Sequence, residues 1–308
     1  MFKRTLVVLE PRLQPGALMQ VGVALARACM AEVIFYTPLP REGRAAASLP
    51  ALELAAQWEA RREAQDEAHA QAELLHQRAR QLALELRVPS KSVIESPPHP
   101  VRGVLDAAAA SHCDLVLVAS DGSNALIRLL GGSLVPGLIT ASPIPVIVCP
   151  PARPAALAQG STPKRVLVIL EDGSGAGVAL KQGLELAREL AAELLFVHIA
   201  ASDLLPVVDV AGFVDTLHDR LADEIQRHAQ RVLDAAVHAA EAAGLKARGT
   251  CLPAGTTARE VAELAAREAC EPIVVAHGGS NAVVRLLSGS LIPGLITSAT
   301  GSVLIAVL

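Results

Sequence analysis

The sequence repeats itself, and this repeat limits the folds that the chain can adopt. Residues 3–10 (KRTLVVLE) return as residues 164–171 (KRVLVILE), a shift of 161 positions. Residues 122–140 return as 279–297, with 15 of 19 positions identical and a shift of 157. The first copy is therefore four residues longer (161 − 157) between these segments. A self-similar chain of 308 residues is long enough for two ordinary domains, and it predicts two copies of one domain.

Short apolar runs alternate with segments of helical periodicity within each copy. Unbroken apolar runs, such as 115–119 (LVLVA) and 166–170 (VLVIL), indicate strands that are buried on both faces. We therefore expect an α/β protein with two domains, each a five-stranded parallel sheet with helices on both faces. We further expect these to be tandem Rossmann-like domains with the strand order 3-2-1-4-5. The predicted domains are 1–152 and 164–308, joined by a linker at 153–163 that is rich in proline and small residues.

Composition excludes several classes of function. A net charge of −4 and only six aromatic residues argue against binding to nucleic acid. No apolar run approaches the roughly 18 residues that a membrane-spanning helix needs. The five cysteines form no C-x-x-C pair, which favours reduced thiols and predicts a location in the cytoplasm.

A glycine-rich turn follows the fourth predicted strand of each copy, at the end of the sheet where ligands of such folds bind. Glycine lets backbone N–H groups approach a phosphate, and a serine at a helix start adds a hydroxyl and the positive end of the helix dipole. The same residues could instead form only a tight turn and a helix cap. The candidate binding residues of this turn are Gly122, Ser123, Gly132 and Ser133 in the first copy, and His277, Gly279, Ser280, Gly289 and Ser290 in the second. A solvated loop histidine is the alternative interpretation of His277.

These turns resemble those of the universal stress protein family, and the resemblance covers nearly the whole chain as two tandem domains. The nucleotide-binding members of that family carry G-x2-G-x9-G-[S/T] after the fourth strand. Both copies match its second glycine, third glycine and serine, whereas Ala119 and Ala276 replace its first glycine. The resemblance implies that the first glycine backs onto the nucleotide, so each alanine methyl would crowd the ribose or the phosphates.

The turn after the first strand distinguishes the two copies. Family members usually have an aspartate here, near the ribose or a metal, and the second copy supplies Asp172 and a glycine-rich loop that begins at Gly173. The first copy has Pro11 and Pro15, which lack N–H donors. The second copy is therefore the favoured binding site.

Two further patterns bear on the site. The pairs Pro136-Gly137 and Pro293-Gly294 begin short apolar helices, which could face a protein partner or an apolar ligand. His218, His228 and His238 lie ten residues apart on one predicted helix and therefore point in different directions, so we predict no metal site. His228 falls on the apolar stripe of this helix and is predicted to be partly buried.

The resemblance implies a stress-response module that binds an adenine nucleotide, either ATP with Mg²⁺ or a related nucleotide, and that acts through association. No P-loop or nucleophile elbow is present, so at most weak ATP hydrolysis is expected. Family members dimerise through the last strand, which implies a pseudo-dimer of the two domains and leaves a homodimer open. The alternative is a nucleotide-free scaffold that recruits a protein partner or a small apolar ligand.

Overall fold

The computed structural model divides the chain into two compact units, here called the first and second halves. The described residues of the first half are 2–13, 15–39, 51–120 and 134–150, and those of the second half are 163–173, 175–200, 214–277 and 291–307, without the side chains of 51–58 and 214–222. The predicted linker lies outside the described residues apart from Pro163, and the exact domain boundaries stay a prediction.

The first half alternates strands and helices from end to end. Its elements are β1 (Arg4–Val8), α1 (Gly16–Ala28), β2 (Glu32–Pro38), α2 (Ala51–Glu85), β3 (Ser90–Glu95), α3 (Pro100–Ala110), β4 (Leu115–Ala119), α4 (Leu134–Ala141) and β5 (Val146–Cys149). All the strand pairs are parallel, in the order β3-β2-β1-β4-β5.

The second half repeats this arrangement. Its elements are β6 (Arg165–Leu170), α5 (Gly175–Leu190), β7 (Glu193–Ile199), α6 (Val214–Ala242), β8 (Ala247–Leu252), α7 (Ala258–Arg267), β9 (Cys270–His277), α8 (Leu291–Ser298) and β10 (Val303–Val307). Its strands are parallel in the order β8-β7-β6-β9-β10, so the predicted order 3-2-1-4-5 is confirmed in both halves.

The central strands are buried along their whole length. Every residue of β4 is buried, as is every residue of β6 after Arg165. Successive side chains of a strand point to opposite faces, so burial at consecutive positions means that both faces of the sheet are covered. This is why the apolar runs of the sequence are unbroken rather than alternating.

Glycines bring the first helix of each half close to its central strand. A methyl group built on Gly22 of α1 would lie 2.6 Å from Val7 Cγ2, and one built on Gly183 of α5 would lie 2.4 Å from Val168 Cγ2. No side chain fits at such a distance, so this close packing of helix on strand requires glycine. Gly22 and Gly183 lie 161 positions apart, so this glycine contact is repeated along with the sequence.

The structure also locates the four-residue difference between the copies. The shift of 161 still relates β2 to β7, whereas a shift of 157 relates β3 to β8. The buried positions of α2 (Ala72, His76, Ala79 and Ala83) correspond by the shift of 157 to those of α6 (Ala229, Leu233, Ala236 and Ala240). The extra residues of the first copy therefore lie between Pro38 and Ala72.

Candidate functional site

The loop after β6 forms the first part of the candidate site, at the carboxyl edge of the second half's sheet. Asp172 lies in this loop with 47% of its side chain exposed. Gly173 has φ +105°, a backbone conformation that residues with a Cβ rarely adopt. Helix α5 then begins at Gly175 and directs its unpaired N–H groups towards the same edge. Glycine at position 173 thus makes the sharp turn from strand to helix that leaves Asp172 in solvent.

The end of β9 lies directly against this loop. A methyl group built on Gly175 would lie 3.2 Å from Cβ of Ala276, the alanine that replaces the first motif glycine. Ala276 is buried, and β9 ends at the next residue, His277. The structure therefore brings together the two segments that sequence analysis singled out separately, the turn after the first strand and the end of the fourth.

His277 is half-buried at this edge rather than in a solvated loop. Its Nε2 atom is buried and has no hydrogen-bond partner among the described residues. Burial lowers the pKa of the imidazole from its ordinary value, which favours the neutral ring. A neutral ring with one unpaired nitrogen can make a further hydrogen bond at this position.

Two histidines surround Asp172, and both come from other elements. Nε2 of His228, on α6, lies 2.9 Å from Asp172 Oδ1. Nε2 of His198, at the end of β7, lies 3.9 Å from the same oxygen. The rings of His198 and His228 approach edge to face, with their centroids 6.0 Å apart. Asp172, His198 and His228 offer donor atoms that all lie within 4.8 Å of one another.

The side chain of His228 is 51% exposed, so it lies nearer to the surface than its place on the predicted apolar stripe suggested. The buried stripe of α6 passes through Ala229, Leu233 and Ala236, and His228 lies at its margin, where the ring reaches Asp172. His198 was missed altogether, since a single histidine in an apolar strand gives no spacing signal. His218, His228 and His238 lie on one helix, whereas Asp172 and His198, the neighbours of His228, belong to other elements.

The corresponding edge of the first half has a different chemistry. Pro11 takes the place of Asp172, in a short 3₁₀ helix (Pro11–Leu13) that the chain inserts before α1. Thr37 takes the place of His198, and Gln71 that of His228. The Thr37 hydroxyl donates to the carbonyl of Leu9 over 2.8 Å and faces His76 Nε2 at 2.8 Å. The histidines and the carboxylate are therefore a property of the second half.

The remaining predicted site residues lie outside the described part of the chain. They are Gly122, Ser123, Gly132, Ser133, Gly279, Ser280, Gly289 and Ser290. Their assignment to phosphate binding stays a prediction. Asp172, Gly173 and His277 lie at the carboxyl edge of the second half, as their positions after strands predicted.

The short apolar helices α4 and α8 pack within their own halves. Their buried residues are Leu134, Val135, Leu138 and Ile139 in α4, and Ile292, Leu295 and Ile296 in α8. A methyl group built on Gly137 would lie 2.7 Å from Val101 Cγ2, and one built on Gly294 would lie 2.5 Å from Ala258 Cβ. Glycine after proline thus lets each helix lie close to its neighbour, so these apolar residues serve the core of each half.

No helix among the described residues combines the length and the apolar character needed to cross a membrane. None of the five cysteines, all of which lie in the described part of the chain, forms a disulfide bond, and four of them are buried.

Comparison with known proteins identifies the fold. None of the curated proteins matches this chain. A universal stress protein from Archaeoglobus fulgidus is similar in structure, with a TM-score of 0.69 at 15% identity over 98% of this chain and 95% of that chain. A functionally unknown protein from Pseudomonas aeruginosa matches with a TM-score of 0.58 at 13% identity, over 99% of this chain and 92% of that chain.

The family assignment comes from the sequence of each half. The model of the universal stress protein family matches twice, at residues 1–150 and 162–306. These two matches together cover most of the chain, and the repeated parallel sheet agrees with them. The chain belongs to the universal stress protein family and carries two of its domains in tandem.

Proposed function

We propose that this chain is a stress-response module that binds an adenine nucleotide in its second half and acts through association rather than catalysis. The observation that carries the proposal is the close approach of Gly175 to Ala276, where a methyl group built on the glycine would lie 3.2 Å from the alanine Cβ, so that the loop after β6 lies against the end of β9. Ligands of doubly wound sheets bind beyond the carboxyl ends of the strands, where these two segments meet.

The start of α5 suits the anionic part of such a ligand. The first N–H groups of a helix have no partner within the helix, and the helix dipole adds positive potential there. Methyl groups built on Gly173 and Gly177 would meet no described atom within 4 Å, so the backbone beside the helix start is open. A phosphate group can therefore approach these N–H groups closely.

Asp172 and His277 suit the uncharged parts of a nucleotide. A carboxylate in this position accepts hydrogen bonds from ribose hydroxyls, as acidic residues do in related folds. The neutral ring of His277 offers one further hydrogen bond at the same edge. Two other universal stress proteins have been solved with cAMP and dAMP, but they match only about half of this chain at TM-scores of 0.35 and 0.34. The proposal therefore depends on the residues of this chain.

The first half lacks this set of groups. Pro11 and Pro15 stand where the second half has Asp172 and an open glycine loop, and prolines supply no N–H. The apolar helices α4 and α8, which the scaffold alternative invoked together with the last strand of each half, are packed inside their halves. We also propose a location in the cytoplasm, which is supported by five cysteines that form no disulfide bond. Association between the halves or between chains stays a prediction.

The experiment is a pair of matched serine variants. We expect ATP with Mg²⁺ to raise the melting temperature, since a ligand at 100 times its dissociation constant adds about 2.7 kcal/mol of stability. Ser290→Ala should weaken this effect, whereas Ser133→Ala, at the corresponding position of the first half, should leave it unchanged.

The proposal would be overturned if millimolar ATP, AMP and cAMP all left the melting temperature of the full chain unchanged. If Ser133→Ala alone abolished the rise in melting temperature caused by ATP, the nucleotide site would lie in the first half and not in the second. Steady phosphate release from ATP that disappears in Ser290→Ala would show catalysis and contradict the role through association.

A further inference from the structure

We propose that Asp172, His198 and His228 form a binding site for one divalent transition-metal ion, with Zn²⁺ as the preferred type. The three side chains come from three separate elements: the loop after β6, the end of β7 and the middle of α6. Their donor atoms lie within 4.8 Å of one another at the carboxyl edge of the second half. This site shares Asp172 with the nucleotide site proposed above, but its three ligands come from the chain itself, so metal binding does not require nucleotide.

His198 is already oriented as a metal ligand. Its Nδ1 lies 2.8 Å from the carbonyl oxygen of Leu170, and because a carbonyl can only accept, Nδ1 carries the hydrogen. The neutral ring then has its lone pair on Nε2, which faces Asp172. Histidines that bind metals almost always donate their other ring N–H to a carbonyl or a carboxylate in this manner. Since His198 is only 1% exposed, its ring is fixed by packing as well.

The distances require only small movements of exposed side chains. A tetrahedral ion with bonds of about 2.0–2.1 Å holds its donor atoms about 3.3 Å apart. Asp172 Oδ1 lies 2.9 Å from His228 Nε2 and 3.9 Å from His198 Nε2. Asp172 and His228 are both about half exposed, so they are free to adjust around the fixed ring of His198. Metal binding would shift the Nε2 hydrogen of His228 to Nδ1 or release it.

The donor set favours a particular class of metal. Imidazole nitrogens suit Zn²⁺ and the later transition metals, whereas Mg²⁺ prefers oxygen ligands alone. Two histidines and one carboxylate bind a tetrahedral ion at three positions and leave the fourth for water or another ligand. The edge of the sheet, where Asp172 and His228 are open to solvent, gives that fourth position room.

The first half shows that the fold does not need these residues. Thr37 corresponds to His198, and its hydroxyl donates to the carbonyl of Leu9 over 2.8 Å, the same length as the bond from His198 to Leu170. Pro11 and Gln71 correspond to Asp172 and His228. Equivalent backbone positions thus exist without a set of metal ligands. The combination in the second half is therefore not a requirement of packing.

The test is titration of the metal-free full chain with Zn²⁺ by calorimetry, in the absence of nucleotide. We expect one tight site per chain and a rise in melting temperature on binding. Co²⁺ in the same site should give the intense visible absorption of a four- or five-coordinate complex. His228→Gln and Asp172→Asn should each weaken Zn²⁺ binding by more than about 100-fold, because loss of even an outer partner of a ligand costs about 10- to 100-fold.

Two further variants make the result specific. His238→Gln changes another exposed histidine of α6 and should leave Zn²⁺ affinity unchanged. His198→Thr introduces the side chain that serves the first half, so the chain should fold and yet lose the site. Absence of Zn²⁺ binding in the unmodified chain, or binding that persists in both His228→Gln and Asp172→Asn, would overturn the proposal and reduce the cluster to an ion pair.

This result is independent of the nucleotide experiment. Zn²⁺ binding without any response to ATP would support the metal site and remove the proposed nucleotide function. A rise in melting temperature with ATP that depends on Ser290, without Zn²⁺ binding, would support the nucleotide function and rule out the metal site.

Discussion

The two halves share a fold but carry different side chains at some corresponding positions, and these side chains give them different chemical properties. His76 is such a residue, because its counterpart by the shift of 157 is Leu233. Its side chain is buried on α2 and its Nε2 donates to the Thr37 hydroxyl over 2.8 Å, while Nδ1 has no partner among the described residues. Burial, aided by the nearby Arg80, lowers the pKa of His76 to about 4.

The depressed pKa of His76 predicts a stability that depends on pH. The unfolded chain takes up a proton on this ring near its ordinary pKa of about 6.5, whereas the folded chain takes it up only near 4. Stability is therefore complete above pH 6.5 and falls as the pH drops towards 4, by about 2 kcal/mol at pH 5. Urea unfolding at pH 7 and pH 5 measures this loss.

The matched variants separate His76 from the other titrating groups. In His76→Leu the fall in unfolding free energy from pH 7 to pH 5 should be smaller by about 2 kcal/mol. His69→Leu, which changes an exposed histidine of the same helix, should retain the fall of the unmodified chain. An equal fall in all three proteins would contradict the assignment.

The roles of individual side chains were harder to predict from the sequence than the fold. Asp172 and His277 were found because they follow strands, at the edge where ligands bind. His198 and His76 are lone histidines in apolar segments, and no spacing distinguishes them from core residues. Their partners lie 26 and 39 positions away in the chain, so only the folded backbone brings them together.

Two pairs of helices, one in each half, pack closely against each other at a glycine. Helix α8 meets α7 where Gly294 faces Ala258, and α4 meets α3 where Gly137 faces Val101. In each pair a glycine interrupts an apolar helix, and the gain in close packing offsets the cost of glycine in a helix, about 1 kcal/mol. From sequence alone these apolar turns were left open as a surface for a partner or a ligand, because their packing depends on helices more than 30 residues earlier in the chain.

Gly294→Ala should destabilise the chain by about 1–3 kcal/mol, although alanine favours helix formation. The new methyl would lie 2.5 Å from Ala258 Cβ, so one of the helices must move. The double variant Gly294→Ala with Ala258→Gly should recover much of this loss. The free energies of unfolding of the single and double variants give the coupling between the two positions.

Gly177→Ala provides the control for helix propensity. A methyl on this residue of α5 would meet no described atom within 4 Å, so alanine should stabilise the chain by up to about 1 kcal/mol. If Gly294→Ala were as stabilising as Gly177→Ala, the close helix contact would not be the reason for glycine at position 294.

The overall architecture of the chain was easier to predict from the sequence than its individual side chains. Buried parallel strands produce unbroken apolar runs, and a duplicated fold produces a fixed shift, so the parallel sheet and the repeat both follow from the sequence. The apolar runs 115–119 and 166–170 coincide with β4 and, to within one residue, with β6. The difference in chemistry between the halves was predicted only in part. The prolines after the first strand of the first half were recognised in the sequence, whereas the pair of histidines in the second half was not.

Thiol chemistry tests burial over the whole molecule. Cys251 is exposed, while Cys29, Cys113, Cys149 and Cys270 are buried. Burial raises the pKa of the Cys113 thiol to about 12 and that of Cys270 to about 11, so these groups carry little thiolate at neutral pH. We expect one thiol per folded chain to react readily with a disulfide reagent, and five after unfolding. Cys251→Ser should remove the reactive thiol, and rapid reaction of two or more thiols in the folded chain would contradict this burial.

The carbonyls of Leu9 and Leu170 end the central strands of the two halves, and each accepts one hydrogen bond from a side chain on the neighbouring strand. Threonine satisfies this requirement in one half and histidine in the other, at the same length. The scaffold thus specifies a donor at this point without specifying the rest of the side chain. A duplicated domain can therefore exchange this donor in one copy while the strands of both copies stay the same, as Thr37 and His198 show.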